Sequence, residues 1–300
     1  AAMITSCSTD DEMSQSNYPS DNIVRVTAGV NNAKTRADGA GVSAMEKDFS
    51  LTIVNKNTES TELAKKYTYI DKVFSKTSGD WTCSETLLWQ NSTQTVDIVA
   101  FAPAQTGKFS GVCDNDGNIQ SIAYSVADDQ STSSDNNDLL YYYAKDFNPG
   151  TSLVNKKLNI QFNHAFCMID INVTLGTEFN KPEVLKESPI VKVTLGGTKI
   201  AANVDVTNAV SVVTASGEAA DITATNGSFT PAANAESYSH STFSCIAIPQ
   251  TVGANTFKVS LMTAGKLYEW TSAEPVELKS GYRYTLNLSM GNDVVLLKGG

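Results

Sequence analysis

Near the end of the chain, Tyr282, Tyr284, Leu286, Leu288 and Met290 alternate with Arg283, Thr285, Asn287 and Ser289. A period of two puts the apolar set on one face and the polar set on the other, the mark of a half-buried strand. The same alternation predicts a strand over 21–30, where Val24, Val26, Ala28 and Val30 oppose Arg25 and Thr27. Further strands are expected at 49–54, 96–102, 119–126, 158–175, 190–195, 200–206, 243–248 and 257–262. Helical spacing is weak and confined to 61–69. Short strands separated by Gly, Asn, Asp and Pro turns predict an all-β protein of antiparallel β-sandwiches, not a parallel sheet with crossover helices.

The run LNIQFNHAFCMIDINVTL changes phase partway. Leu158, Ile160, Phe162 and Phe166 hold even positions, whereas Ile169, Ile171, Val173 and Leu175 hold odd ones. A one-residue slip exchanges the faces, so a β-bulge, or a bend carrying the strand between sheets, is expected within 164–168. The irregular stretch 176–188 (GTEFNKPEVLKES) reads as a linker. It divides the chain into a leader at 1–20, a β-sandwich domain at 21–178 and a second at 179–300.

Length and charge narrow the function classes. A chain of 300 residues suits about two domains. Its net charge of -10 argues against nucleic acid or an anionic membrane surface as partner, because both require a basic face. No run of about 18 apolar residues is present, so any membrane attachment is expected to be covalent. The five cysteines stand at 7, 83, 113, 167 and 245, with no Cys-x-x-Cys spacing. Cys7 precedes the first strand pattern, whereas Cys167 and Cys245 lie inside strand-like runs and read as small buried hydrophobes.

Candidate chemistry is sparse. There are two histidines, His164 and His240, and His164 reads as a hydrogen-bonded, partly buried residue. The chain carries no G-x-S-x-G, H-E-x-x-H, P-loop or dinucleotide-binding motif, so no enzyme activity, metal or cofactor is expected. Cys113-Asp114-Asn115-Asp116-Gly117-Asn118 resembles the front of a calcium loop but lacks the distal glutamate, and suits a hairpin turn better. The segment 128–138 (DDQSTSSDNND) reads as a mobile polar loop. The tyrosines Tyr141 to Tyr143 suit core and edge packing, with glycan stacking as the alternative.

Several stretches together resemble the fimbrillin family, the Mfa-like type V pilus subunits of Bacteroidia. They are VTAGVNNAKTRA at 26–37, VDIVAFAP at 96–103, DLLYYYA at 138–144, FNHAFCMIDINV at 162–173, and the run from Cys245 to Leu288 with its Pro249-Gln250 and Gly281-Tyr282-x-Tyr284 elements. The resemblance implies two transthyretin-like antiparallel β-sandwich domains in tandem, export as a lipoprotein and a role in adhesion. In the family's pilins it also implies cleavage by an arginine-specific maturation protease that removes the first strand. A strand from another pilus subunit then fills the groove. The alternative within the same fold is a non-polymerising surface lipoprotein, or a pilus-end subunit, that binds a host or bacterial glycan or protein.

The residues needed for that route can be placed. The three arginines are Arg25, Arg36 and Arg283. Arg25 and Arg283 lie in strand patterns, whereas Arg36 lies in a polar stretch, so Arg36 is the expected processing site and Ala37 the new N-terminus. The donor-strand candidate is Val294-Val295-Leu296-Leu297, two of whose side chains can face one groove by alternation. Two buried apolar side chains contribute about 3–6 kcal/mol, against about 4–15 kcal/mol for association. Either the natural chain continues beyond Gly300, which is the expectation, or this member donates no strand and sits at a pilus end or works alone. Ile4-Thr5-Ser6-Cys7 resembles a lipobox, with lipidated Cys7 starting the mature chain. Asp10-Asp11-Glu12 resembles the signal that sends such lipoproteins to the outer face of the outer membrane. Cleavage at Arg36 would discard this tether.

Overall fold

The structure is a computed structural model that describes residues 16–34, 42–104, 112–114, 116–134 and 137–297. It is all-β. One eight-stranded sheet takes the order β2 (Val42–Ala44), β1 (Val26–Asn31), β9 (Leu158–His164), β8 (Leu140–Phe147), β6 (Val96–Ala102), β3 (Phe49–Asn55), β4 (Tyr69–Thr77) and β5 (Asp80–Cys83). A five-stranded sheet runs β15 (Thr225–Thr230), β16 (Ser239–Ala247), β10 (Cys167–Leu175), β21 (Arg283–Met290) and β22 (Val295–Leu297). Opposite it lie β14 (Ile222–Thr223), β11 (Ile190–Gly196), β18 (Lys258–Thr263) and β19 (Leu267–Thr271). Three smaller strands, β13 (Val213–Ala219), β12 (Lys199–Val204) and β7 (Ile122–Ser125), pair together, as do β17 (Gln250–Val252) and β20 (Val276–Leu278). The helical segment expected at 61–69 is α1 (Thr61–Lys66), capped by Ser60, whose hydroxyl accepts from the Leu63 N–H.

Two hydrophobic cores follow from these sheets. One gathers Val24, Val26 and Val30 with Phe49, Leu51, Ile53, Ile98, Leu158, Ile160 and Phe162. The other gathers Ile169, Ile171, Val173, Leu195, Phe243, Cys245, Val259, Leu261 and Leu288. The two meet across β6, which is buried along its whole length: Ile98, Ala100 and Ala102 face the first core, Val99 and Phe101 the second. A strand covered on both faces reads as a continuous apolar run, and VDIVAFA is one. Tyr142 packs on the first core, while Tyr141 and Tyr143 pack on the second.

The phase change in 158–175 is the point where the chain changes sheets. β9 buries Leu158, Ile160 and Phe162, the chain bends at Ala165–Phe166, and β10 buries Cys167, Ile169, Ile171, Val173 and Leu175. Of the two readings, bulge or bend, the bend is the one observed. β10 thus packs in the second core, ahead of the boundary expected at 176–188, and Val112, Ile122, Tyr124, Val126 and Leu139 join it there from an earlier part of the chain.

Among the described residues most ladders are antiparallel, but two are parallel. β1 pairs with β9 from Val26↔Leu158 to Val30↔Phe162, and β10 pairs with β21 from Met168↔Arg283 to Leu175↔Met290. Alternation reports which face a residue takes but carries nothing about the direction of its partner strand.

Candidate functional site

The first strand is an inserted one. VTAGVN turns Val26 and Val30 into the core, with Val24 just ahead of them at 5% exposure. Its outer face is matched to β9: the Thr27 hydroxyl donates to Asn159 Oδ1 at 3.1 Å and the Asn31 amide donates to Asn163 Oδ1 at 2.8 Å. Between these pairs, Gly29 lies opposite Gln161. A Cβ on Gly29 would stand 2.9 Å from Gln161 Oε1 and 3.1 Å from Val42 Cγ1, so glycine permits the close fit.

Backbone hydrogen bonds hold both ends of this segment. Upstream, Val24 N–H donates to Leu87 O at 2.9 Å and Trp89 N–H to Asn22 O at 2.8 Å. Arg25 grips Asp21 through both guanidinium nitrogens, at 3.0 and 2.6 Å, and holds that carboxyl down at about 2. Downstream, Lys34 N–H donates to Gly281 O at 2.7 Å, and Arg283 N–H donates to Lys34 O at 2.9 Å. The segment therefore runs beside β9 in the first core and touches the start of β21 in the second sheet.

Two of the three arginines have ion-pair partners in paired backbone. Arg25 is ion-paired in a paired segment, and Arg283 in β21 pairs with Asp170 at 2.5 and 3.2 Å. Arg36 and Ala37 lie outside the described residues, between Lys34 and Val42, and Cys7 lies outside them as well. At the other end, β22 folds back on β21 in antiparallel register, Met290↔Val295 to Leu288↔Leu297. Val295 is buried in the second core, whereas Val294, Leu296 and Leu297 are about half exposed, at 49%, 58% and 48%. One of the four donor-candidate side chains thus faces the core of its own chain.

Other candidates have structural partners. Asp114 Oδ1 accepts from the backbone N–H groups of Asp116 and Asn118, and Cys113 bridges Ile119, a hairpin turn. Among the described residues, no three His, Cys, Asp or Glu side chains gather as a metal site. His164 Nδ1 lies 2.9 Å from Asp138 Oδ2, and His240 Nδ1 lies 3.2 Å from the Thr174 hydroxyl. Cys83, Cys113, Cys167 and Cys245 are free thiols. Burial pushes the Cys245 thiol up to about 12 and raises Cys167 further still.

One residue escaped sequence reasoning. Gln130, in the segment read as a mobile polar loop, is fully buried. Its amide donates to Ile246 O at 2.9 Å and accepts from Ile246 N–H at 2.8 Å, as a neighbouring strand would. It covers the flank of β16 just past Ser244, the end of the pairing with β15. A primary amide has the same donor and acceptor as a peptide, so one Gln in a Ser/Asp-rich stretch can pin it, a role that composition conceals.

Two clefts border the crossing from β1 to the second sheet, and both are lined by Asn32, Ala33, His164 and Tyr282. One, of about 740 Å³, reaches Met45, Leu140, Phe166 and Arg283. The other, of about 1100 Å³, reaches Tyr141, Asn163, Gln250 and Glu277.

Comparison with known proteins bears on this arrangement. No curated protein sequence matches the chain. Among solved structures, a candidate cell adhesion protein from Bacteroides ovatus superposes with a TM-score of 0.64 at 15% identity, over 93% of this chain and 95% of its own. A candidate cell adhesion protein from Bacteroides uniformis gives 0.57 at 15% identity, over 93% and 97%. A fimbrial protein from Bacteroides vulgatus gives 0.53 at 12% identity, over 92% and 98%. At these identities the likeness establishes a shared fold. The family model described as fimbrillin-like matches residues 35–300, and by that match the chain belongs to the fimbrillin-like family.

Proposed function

We propose that the protein is a structural subunit of a surface fimbria, assembled by strand exchange after its N-terminal strand is cut away. The observation that carries this reading is the setting of β1. It is an interior strand of its sheet, it buries valines in the core, and the chain joins it to β2 through 35–41. An arginine-specific protease cutting after Arg36 would leave β1 held by non-covalent contacts alone. Three buried valines contribute about 4.5–9 kcal/mol, inside the range of about 4–15 kcal/mol that association costs. A strand held so closely to balance can be replaced by one from another subunit through main-chain pairing along β9. The segment Val294 to Leu297 is the candidate donor, and it would have to leave β21 to serve.

In this reading Cys7 carries the lipid that brings the precursor to the outer face of the outer membrane. Two or three acyl chains anchor firmly where one does so only marginally. Fimbrial and adhesion proteins among the structural neighbours support a place at the cell surface. The test is incubation with an Arg-specific protease, N-terminal sequencing and electron microscopy. A product starting at Ala37 that forms fibres supports the proposal; a different N-terminus, or monodisperse cut protein, overturns it. Equal fatty-acid labelling of wild type and Cys7→Ala removes the lipoprotein step.

A further inference from the structure

The larger cleft beside the β1 crossing has a chemically distinctive lining. Tyr141 at the start of β8 and Tyr282 just ahead of β21 both line it. Tyr282 stacks on Tyr284 at 6.1 Å between ring centroids, which restrains its plane. Neither the Tyr141 nor the Tyr282 hydroxyl has a hydrogen-bond partner among the described residues. Burial raises the Tyr141 phenol above its ordinary value, so it stays a proton donor at neutral pH.

The amide of Asn163 accepts from Asn31 through its oxygen, and its NH₂ group has no acceptor among the described residues. The charged groups at the cleft are largely matched. Glu277 and Lys279 pair at 3.5 Å, and Lys34 Nζ lies 5.9 Å from the Tyr282 ring centroid. The whole chain carries -10, which disfavours an anionic ligand. At about 1100 Å³ the cleft is of the size that holds small organic ligands.

Such a site suits a ligand with apolar C–H faces for the rings, hydroxyl groups for the phenols and amide, and no net charge. Phenol rings provide an apolar body with a polar tip, which matches that alternation. We propose that this cleft binds a short neutral oligosaccharide, with Tyr282 as the stacking platform and Tyr141 and Asn163 as hydrogen-bonding partners. A cut in 35–41 would divide the lining: Asn31, Asn32, Ala33 and Lys34 would leave with β1, whereas Tyr141, Asn163 and Tyr282, the three proposed ligand contacts, stay with the body of the protein.

The test applies the full chain to an array of neutral and acidic glycans, followed by calorimetry with the neutral glycan that binds. Tyr282→Ala is expected to weaken binding about tenfold, and Tyr141→Phe and Asn163→Ala about three- to tenfold each. Tyr141→Phe keeps the packed ring, so its loss of binding reports the hydroxyl and not misfolding. Thr285→Ala, in the other cleft, is expected to leave binding unchanged. Binding of no neutral glycan, binding of acidic glycans alone, or Tyr282→Ala within twofold of wild type overturns the proposal. None of these outcomes touches the strand-exchange reading, which is decided by fibre formation.

Discussion

The inward valines of β1 set how tightly the strand stays after the chain is cut. Val26 is 4% exposed, while the next residue, Thr27, points outward to Asn159. Val26→Ala removes two carbons from the core at ~0.8 kcal/mol each, and the cavity left behind brings the loss to about 2–3 kcal/mol. For a nicked protein this becomes about 30- to 100-fold faster or more complete loss of the strand, at 1.4 kcal/mol per tenfold. Thr27→Ala loses one exposed hydrogen bond and is expected to change release by about threefold or less. The assay labels the N-terminal segment with a fluorophore, cuts within 35–41, and follows release by size-exclusion chromatography. An engineered protease site in 35–41 serves if Arg36 resists cleavage, so the strand's affinity is measured independently of the proposed processing site. Equal release for Val26→Ala and Thr27→Ala would refute the reasoning, because it would mean that core burial does not hold β1.

Three further outcomes are expected. Gln130→Leu leaves the buried N–H and C=O of Ile246 without partners and should lower stability by about 2–5 kcal/mol, seen as a lower urea midpoint; an unchanged midpoint refutes the clamp. Burial raises the Asp71 carboxyl from 3.8 to about 6, so its contribution to stability is full below 3.8 and is lost as pH rises through 6. Asp71→Asn, which suits the positive φ of 50° there, should raise Tm at pH 7 and leave it unchanged at pH 4; a gain of equal size at both pH values counts against this account. Thiol labelling read by peptide mass spectrometry should modify Cys83 and Cys113 in the folded protein and spare Cys167 and Cys245 until urea unfolds it, whereas prompt labelling of Cys245 contradicts its burial.

Where the fold was legible, alternation made it so. The pattern at 282–290 became β21 over Arg283–Met290, and the phase change at 164–168 became the bend between β9 and β10. Both signals are local, since they depend on which face each side chain takes. Pairing direction is not local: the partner of Thr27 is Asn159, 132 residues away, and nothing in either segment states whether they run parallel. The membership of Val112, Ile122, Tyr124, Val126 and Leu139 in the second core was hidden for the same reason, and Gln130 was concealed by its polar neighbours. At the site, the strand patterns around Arg25 and Arg283 correctly anticipated that both are held in paired backbone. The four apolar residues at 294–297 could not reveal that Val295 alone turns inward, because that depends on β22 folding back onto β21.

The parallel ladder between β1 and β9 has a consequence for when things happen. A pairing that spans 132 residues closes late, and long-range strand pairing folds in milliseconds to seconds where local structure needs microseconds. Synthesis proceeds from the N-terminus, so the valines of β1 emerge long before Leu158, Ile160 and Phe162 exist to receive them. Until then the segment is an unpaired apolar strand. A cut in 35–41 made in that interval would release β1 before its sheet had formed and leave β9 to fold with an empty flank. In the proposed assembly route the long loop closure thus makes the order of events matter: the strand would first have to be seated, and only then could its removal expose a folded acceptor.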